Sequence, residues 1–237
     1  MSVVTTHILA RLQELGDPDI AAQSLRFFKT GSGEYGEGDQ FLGIRVPVIR
    51  KCVREYRGIA LDDTLELLRS PLHEARLLAL LILVDTYRTA DSPAGQRAIY
   101  RAYLDHTRWI NNWDLVDSSA EHIVGAYLFE RNRKPIHRLA RSKDLWERRI
   151  AALATFHFIK REEYDDILAV AERLLNDPED LIHKAVGWML REVGNRDRPV
   201  EERFLRKYYR RMPRTMLRYA IEKFPEKVRL AYLRGEM

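Results

Sequence analysis

Three features of the 237-residue sequence predict an all-α protein. Apolar residues recur every three or four positions along most of the chain, as in Val4, Ile8, Leu9, Leu12 and Leu15, which marks one face of a helix. No stretch alternates apolar and polar residues long enough to form a half-buried strand. Beneath the helices runs a loose repeat, with equivalent positions at Arg76, Asp117, Arg149, Lys184 and Arg218, separated by 41, 32, 35 and 34 residues.

In chain order, the first helix runs from Val3 to Leu15. Gly16-Asp17-Pro18-Asp19 closes it and caps a second, from Ile20 to about Phe28. Residues 30–39 hold Gly31, Gly33, Gly36 and Gly38 but no phosphate-binding glycine motif, so they are expected to form a mobile surface loop, centred on 31–39. Pro47 suits the first turn of a helix reaching Tyr56, because its missing N–H is an orphan there in any case. Paired helices follow over Leu61–Leu68 and Glu74–Tyr87, the latter carrying core residues. A helix from Ala94 to His106 precedes one that begins near Trp113 and is expected to continue through Phe129. The remaining helices are expected at Ile136–Ala140, Leu145–Lys160, Tyr164–Leu175, Leu181–Val193, Val200–Tyr209, Thr215–Phe224 and Pro225–Tyr232.

At each repeat position a polar residue precedes small and large apolar ones: Arg76-Leu-Leu-Ala, Asp117-Ser-Ser-Ala, Arg149-Ile-Ala-Ala, Lys184-Ala-Val-Gly, Arg218-Tyr-Ala-Ile. Helix pairs at such irregular spacing, without tetratricopeptide or ankyrin signatures, suggest HEAT-like repeats stacked into a single α-solenoid over residues 1–237. The second helix of each pair would line a concave face. Four of the five repeat positions are then cations in a row, a track suited to a phosphate backbone. Asp117 is the exception, and an anion in a cationic track suggests a chemical task.

Composition agrees with a folded, soluble chain: 46% of residues are hydrophobic and 32% charged, with 40 Lys and Arg against 35 acids for a net charge of +5. The excess gathers near the C-terminus, where Arg203, Arg206, Lys207, Arg210, Arg211, Arg214 and Arg218 alternate with Tyr208, Tyr209 and Tyr219. Such a face suits a polyanion, although a solvated helix face has the same composition. Cys52 is the single cysteine, so no internal disulfide or cysteine-based zinc site can form, and a reducing, cytoplasmic setting is expected. The N-terminus lacks a signal-peptide pattern, and the longest apolar run, Leu77–Val84, falls far short of the roughly 20 residues a membrane span needs.

One combination stands out. Trp113 and Asp117, four apart, put an indole and a carboxylate on one helical face, while Arg149 and Trp188 occupy related positions one and two repeats on. Taken singly, a Trp on a core helix is usually core, and an early Asp such as Asp114 usually favours the positive end of the helix dipole. Asp117 lies deeper in its helix and fits that explanation less well.

The segments Asn112-Trp-Asp-Leu-Val-Asp117, Trp146-Glu-Arg-Arg-Ile-Ala-Ala152 and Lys184-Ala-Val-Gly-Trp-Met-Leu-Arg-Glu192 resemble the AlkD family of DNA alkylation repair glycosylases. Phe41-Leu-Gly-Ile-Arg-Val-Pro47 and the segment Met212–Phe224 do so too, and the likeness covers most of the chain from about residue 25. It implies a HEAT-like solenoid that grips double-stranded DNA in a basic groove and releases N3- and N7-alkylated purines, with no metal or other cofactor. By position it implies Asp117 as the catalytic carboxylate, Trp113 and Trp188 as lesion-contacting indoles, and Arg149 beside the DNA backbone. Lys184, Arg76 and Arg218 extend that backbone-binding row. The glycine-rich loop and the pair Asn111-Asn112 depart from the family's best-known member, which bears on substrate range. The expected activity is thus a monofunctional DNA glycosylase, acting as a monomer. The alternatives are a non-catalytic HEAT-repeat protein that binds damaged or branched DNA, and a solenoid scaffold for other proteins.

Overall fold

A computed structural model describes residues 1–237; its regular structure is helical, joined by turns and loops, with one isolated bridge, Gln40 to Leu72. The chain forms two compact units, Met1–Ser119 and Ala120–Met237.

In the first unit, α1 (Val3–Glu14) starts where the Ser2 hydroxyl accepts the Thr5 N–H at 3.0 Å, and it buries Ile8 and Leu12. Next come α2 (Pro18–Phe27), capped by Asp17, and α3 (Val46–Glu55) with Pro47 in its first turn. Helices α4 (Leu61–Leu68) and α5 (His73–Thr89) form the next pair, followed by α6 (Pro93–Asp105), capped by Ser92, and the short α7 (Trp113–Asp117). The centre is α5, which packs on α1, α3, α4, α6 and α7 and is buried along most of its length. A helix apolar all round cannot be exposed on any face without loss, so its neighbours enclose it.

The N-terminal turn of α5 also fixes a distant stretch of backbone. The His73 N–H donates to Gln40 O at 2.8 Å, and the buried Glu74 carboxylate accepts the N–H groups of Leu42, Gly43 and Ile44 at 2.9, 2.8 and 3.2 Å. Gly43 has φ +82°, and a Cβ there would lie 2.0 Å from Asp17 O, so only glycine lets this stretch pass α2. The glycine-rich loop is therefore a surface loop only in part, because Gly36 and Asp39 are buried and Asp39 faces α5.

The second unit opens with a π-helical turn, Glu121–Gly125, that leads into α8 (Ala126–Leu128). Then follow α9 (Lys134–Leu139), α10 (Leu145–Ala154), α11 (Phe156–Ile159), α12 (Asp165–Arg173), α13 (Asp180–Gly194), α14 (Arg198–Tyr208), α15 (Arg214–Ala220) and α16 (Glu226–Arg234). Consecutive helices pair, α9 with α10 and α12 with α13, while the second helices α10, α13 and α15 pack in succession, as in a solenoid. Gly187 sets the closest of these approaches: a Cβ there would meet Met216 O at 2.5 Å and Tyr219 Cβ at 2.6 Å.

All five repeat positions fall in helices: Arg76 in α5, Asp117 in α7, Arg149 in α10, Lys184 in α13 and Arg218 in α15. Three expected helices are interrupted. The one beginning at Trp113 stops at Asp117 because the Ser118 and Ser119 hydroxyls both bond the Leu115 carbonyl, competing with continuation of the ladder. The helix from Leu145 breaks at Thr155, whose buried hydroxyl donates to Ala152 O at 2.6 Å. The stretch Thr215–Phe224 likewise tightens into a 3-10 turn after Ala220. No helix is long and apolar enough to cross a membrane.

Two measurements test this packing. Gly187→Ala should lower unfolding stability by about 1 to 3 kcal/mol in urea, because α13 and α15 must separate to admit a methyl group. Glu201, 1% exposed and with Oε1 unpartnered, is pushed by burial from 4.5 up to about 8. The folded protein then holds a proton that the unfolded chain releases, so stability should fall as pH rises from 4.5 to about 8 and level off above it. Glu201→Gln should flatten that slope and raise Tm at pH 8.5.

Candidate active site

Helix α7 carries the first part of the site, with Trp113 at its start and Asp117 at its end, both partly exposed. A helix of one turn has almost no stability of its own, so its position must come from outside. Asn112, fully buried, supplies the N-cap: its Oδ1 accepts the Trp113 N–H at 2.8 Å. Asp114 lies in the first turn of α7, at the positive end of the helix dipole as expected, and it has a further partner. Its Oδ2 accepts a hydrogen bond from His73 Nε2 at 2.8 Å.

His73, 2% exposed, lies at the centre of a buried polar cluster. Its Nδ1 bonds Asp39 Oδ2 at 2.9 Å, the same carboxylate accepts Asn112 Nδ2 at 3.1 Å, and Arg76 Nη2 bonds Asp39 Oδ1. Burial alone would depress the imidazole, but the bonds to Asp114 and Asp39 outweigh it and raise His73 to about 9. At neutral pH the ring is therefore an imidazolium that donates from both nitrogens. Asp39 is also affected by burial, which would raise it, but the His73 hydrogen bond and the Arg76 charge bring it below its ordinary value. Two cations thus balance two anions.

Aromatic rings enclose this cluster. His73 stacks on Phe41 with centroids 4.5 Å apart and lies 4.9 Å from Phe28. Phe28 in turn stacks on Trp113 at 5.4 Å and 20°, while Phe27, 65% exposed, meets Trp113 edge-on at 5.8 Å. At the other end of α7, Tyr103 is fully buried and bonds Ser119 Oγ at 2.9 Å. Burial raises the Tyr103 hydroxyl, and the negative charge of Asp117 adds to the effect, so it stays protonated.

In the second unit, Arg149 is 5% exposed and its Nη1 donates to Leu181 O at 2.6 Å, tying α10 to the start of α13. Lys184 pairs with Asp180 one turn earlier at 2.8 Å, and Trp188, one turn later, donates from Nε1 to Glu192 at 3.2 Å beside Phe156. Arg218 is exposed on α15, which packs on α13. Trp146 is largely core.

The structure therefore joins Trp113 with Asp117 in the first unit, and Arg149, Lys184 and Trp188 along α10 and α13 in the second. It moves Arg76 from the expected cationic row to the interior: 3% exposed, the residue bonds Asp39 and the carbonyls of Ser70 and Pro71. The reason is that α5 is buried on every side from His73 to Leu80, so no ridge of that part of the helix is free. His73 and Asp39 were not among the residues singled out from sequence, and Asn112 was noted only as a departure from the family's best-known member. Their only local signal is the Asn before Trp113 in a capping position.

Removing one partner of a buried charge pair leaves the other unpaired, so Arg76→Ala should cost roughly 3 to 5 kcal/mol of unfolding stability. Arg218→Ala should leave stability within about 0.5 kcal/mol, a contrast that thermal denaturation of the two variants will read directly.

Among solved structures, one described as a "Predicted DNA alkylation repair enzyme from Enterococcus faecalis" is similar in fold. Its TM-score is 0.68 at 16% sequence identity, covering 89% of this chain and 97% of that one. No curated protein matches the chain. The model of the family described as "DNA alkylation repair enzyme" matches residues 8–224, nearly the whole length, and the chain belongs to that family.

Proposed function

We propose that this protein is a DNA glycosylase that hydrolyses the N-glycosidic bond of cationic N3- and N7-alkylated purines in duplex DNA and leaves an abasic site. The observation that carries this reading is the pairing on α7 of a partly exposed carboxylate, Asp117, with a partly exposed indole, Trp113, one helical turn apart in a chain of the alkylation repair family.

The chemistry suits these groups. An alkylated purine already carries positive charge, so the electron pair of its glycosidic bond moves into the base, which departs neutral without a general acid. The sugar is left as an oxocarbenium ion. Asp117 stabilises that charge and orients a water whose oxygen bonds to the anomeric carbon, the water's proton passing to the carboxylate or to solvent. Trp113, braced by Phe28, attracts the cationic nucleotide through its ring face, worth about 0.5 to 2 kcal/mol. Trp188 has the same proposed role, and Lys184 and Arg218 contact backbone phosphates, while Arg149, 5% exposed and bonded to Leu181 O, holds the start of α13 that carries Lys184. Arg76 is not among these contacts, because it is held on Asp39.

The test is base release from a duplex holding one N7-methylguanine under single-turnover conditions. Asp117→Asn should bind the duplex as the parent protein does and release base roughly 100-fold more slowly or worse. Full release by the variant would remove Asp117 from the chemistry. No release by either, with tight salt-sensitive binding by both, would establish a non-catalytic DNA-binding protein instead.

A further inference from the structure

We propose that His73 is a positioning residue for Asp117 and Trp113: it clamps α7 through Asp114 and anchors it to Asp39 on the far side of the ring. The proposal rests on the glycosylase reading above and concerns how its proposed carboxylate is held in place.

The need for a clamp follows from the size of α7. Five residues cannot hold a helix by themselves, and its course ends in the serine-bonded turn at Ser118 and Ser119. What fixes it comes from the side. Asn112 and Asp114 flank Trp113 in sequence, and both reach the same buried cluster, Asn112 through Asp39 and Asp114 through His73. Asp114 lies one turn before Asp117, so a shift of the Asp114 anchor carries indole and carboxylate together. Displacement of a reacting group by about 1 Å can cost on the order of 100-fold in rate.

Histidine suits this place better than lysine or arginine. Its two N–H groups point to opposite sides of one flat ring and reach Asp39 and Asp114 at 2.9 and 2.8 Å. The flat ring also fits the aromatic layer, stacked on Phe41 and tilted against Phe28, which itself stacks on Trp113. The clamp and the indole thus share one packing layer. Charged groups face His73 from every side: Asp39 from the segment before α3, Asp114 from α7 and Arg76 from the next turn of α5, bonded to Asp39. Glu74 is turned away, onto the N–H groups of residues 42–44. Asp114 Oδ1 is buried without a partner, so the bond from His73 is what compensates burial of that carboxylate.

The sign of the pH effect follows. His73 is raised to about 9 by its two carboxylates, so the clamp is complete near neutral pH and is lost as pH rises through about 9. Base release by the parent protein should decline along that limb. In Asp114→Asn one of the raising groups is gone, so the decline should move to lower pH.

The experiment compares the parent protein, His73→Phe and Asp114→Asn by single-turnover base release from pH 6 to 10. DNA affinity, Tm and the imidazole titration by NMR are measured alongside. Phenylalanine keeps the ring in the aromatic layer and removes both bonds. His73→Phe is expected to bind DNA within about twofold of the parent and to release base at least about 10-fold more slowly. Asp114→Asn is expected to show both the lowered alkaline limb and a lowered His73 titration. A folded His73→Phe that releases base at the parent rate overturns the proposal, as does an alkaline limb unmoved in Asp114→Asn. If His73→Phe fails to fold, the Asp114→Asn limb decides alone. Should the parent release no base while His73 still titrates near 9, the glycosylase reading falls, and the positioning role falls with it.

Discussion

The first unit depends on a single turn of helix. At the start of α5, three polar functions within four residues, the His73 ring, the Glu74 carboxylate and the Arg76 guanidinium, are buried and bond backbone and side chains that lie 30 or more residues away in sequence. Buried charge is costly unless it is matched, and here the matching is nearly complete: Asp39 and Asp114 against His73 and Arg76, and Glu74 against three N–H groups. Because these groups are satisfied by residues 39–44 on one side and by Asp114 of α7 on the other, the turn acts as a template. The stretch 39–44, the N-terminus of α7 and the aromatic layer all take their positions from it. The apolar remainder of α5 then assembles the rest of the unit around itself.

Fold class was legible because helical periodicity is local, and it survives in every segment from Val3 to Tyr232. The interruptions were not, since Ser118, Ser119 and Thr155 are ordinary in a helix until their hydroxyls turn back on a carbonyl. The same contrast holds at the site. Trp113 and Asp117 could be paired from their spacing alone, because four residues on a helix is a distance. The cluster behind them could not, for its contacts join residues separated by 34, 41 and 73 positions. Arg76 shows a third limit. Its place in the repeat was readable, but which way a polar residue points on a stretch of helix buried on every side depends on where its counter-ion is, and Asp39 lies at the end of a loop that sequence gave no reason to bury.

The glycosylase proposed above would face a problem that ordinary hydrolases do not. An alkylated purine differs from a normal one by a small group and a charge, so discrimination must come from electrostatics more than from shape. Exposed aromatic rings recognise charge in a way that carboxylates alone cannot, because an indole attracts a cation without forming a tight ion pair. Their usefulness depends on their being held still. Trp113 has Phe28 on its face and Phe27 at its edge; Trp188 has Phe156 beside it and Glu192 on its Nε1. In the proposed role both rings would lose little freedom on meeting a cationic nucleotide, since packing already restricts them.

The glycine-rich loop has a consequence for how such a protein can change over evolutionary time. Its tip, from Gly31 to Gly38, is closed by short-range bonds, Gly31 N–H to Glu34 and Gly33 N–H to Glu37, while Asp39 alone carries its connection to the charged cluster. Its exposed residues Gly31 to Glu34 can therefore change in number or kind at small thermodynamic cost, since closure entropy grows only slowly with length, as long as Gly36, whose Cβ would lie 2.4 Å from Phe28 O, and Asp39 keep their places. A loop tip moored through one buried charge lets the surface beside Phe27 change without disturbing the carboxylate at Asp117.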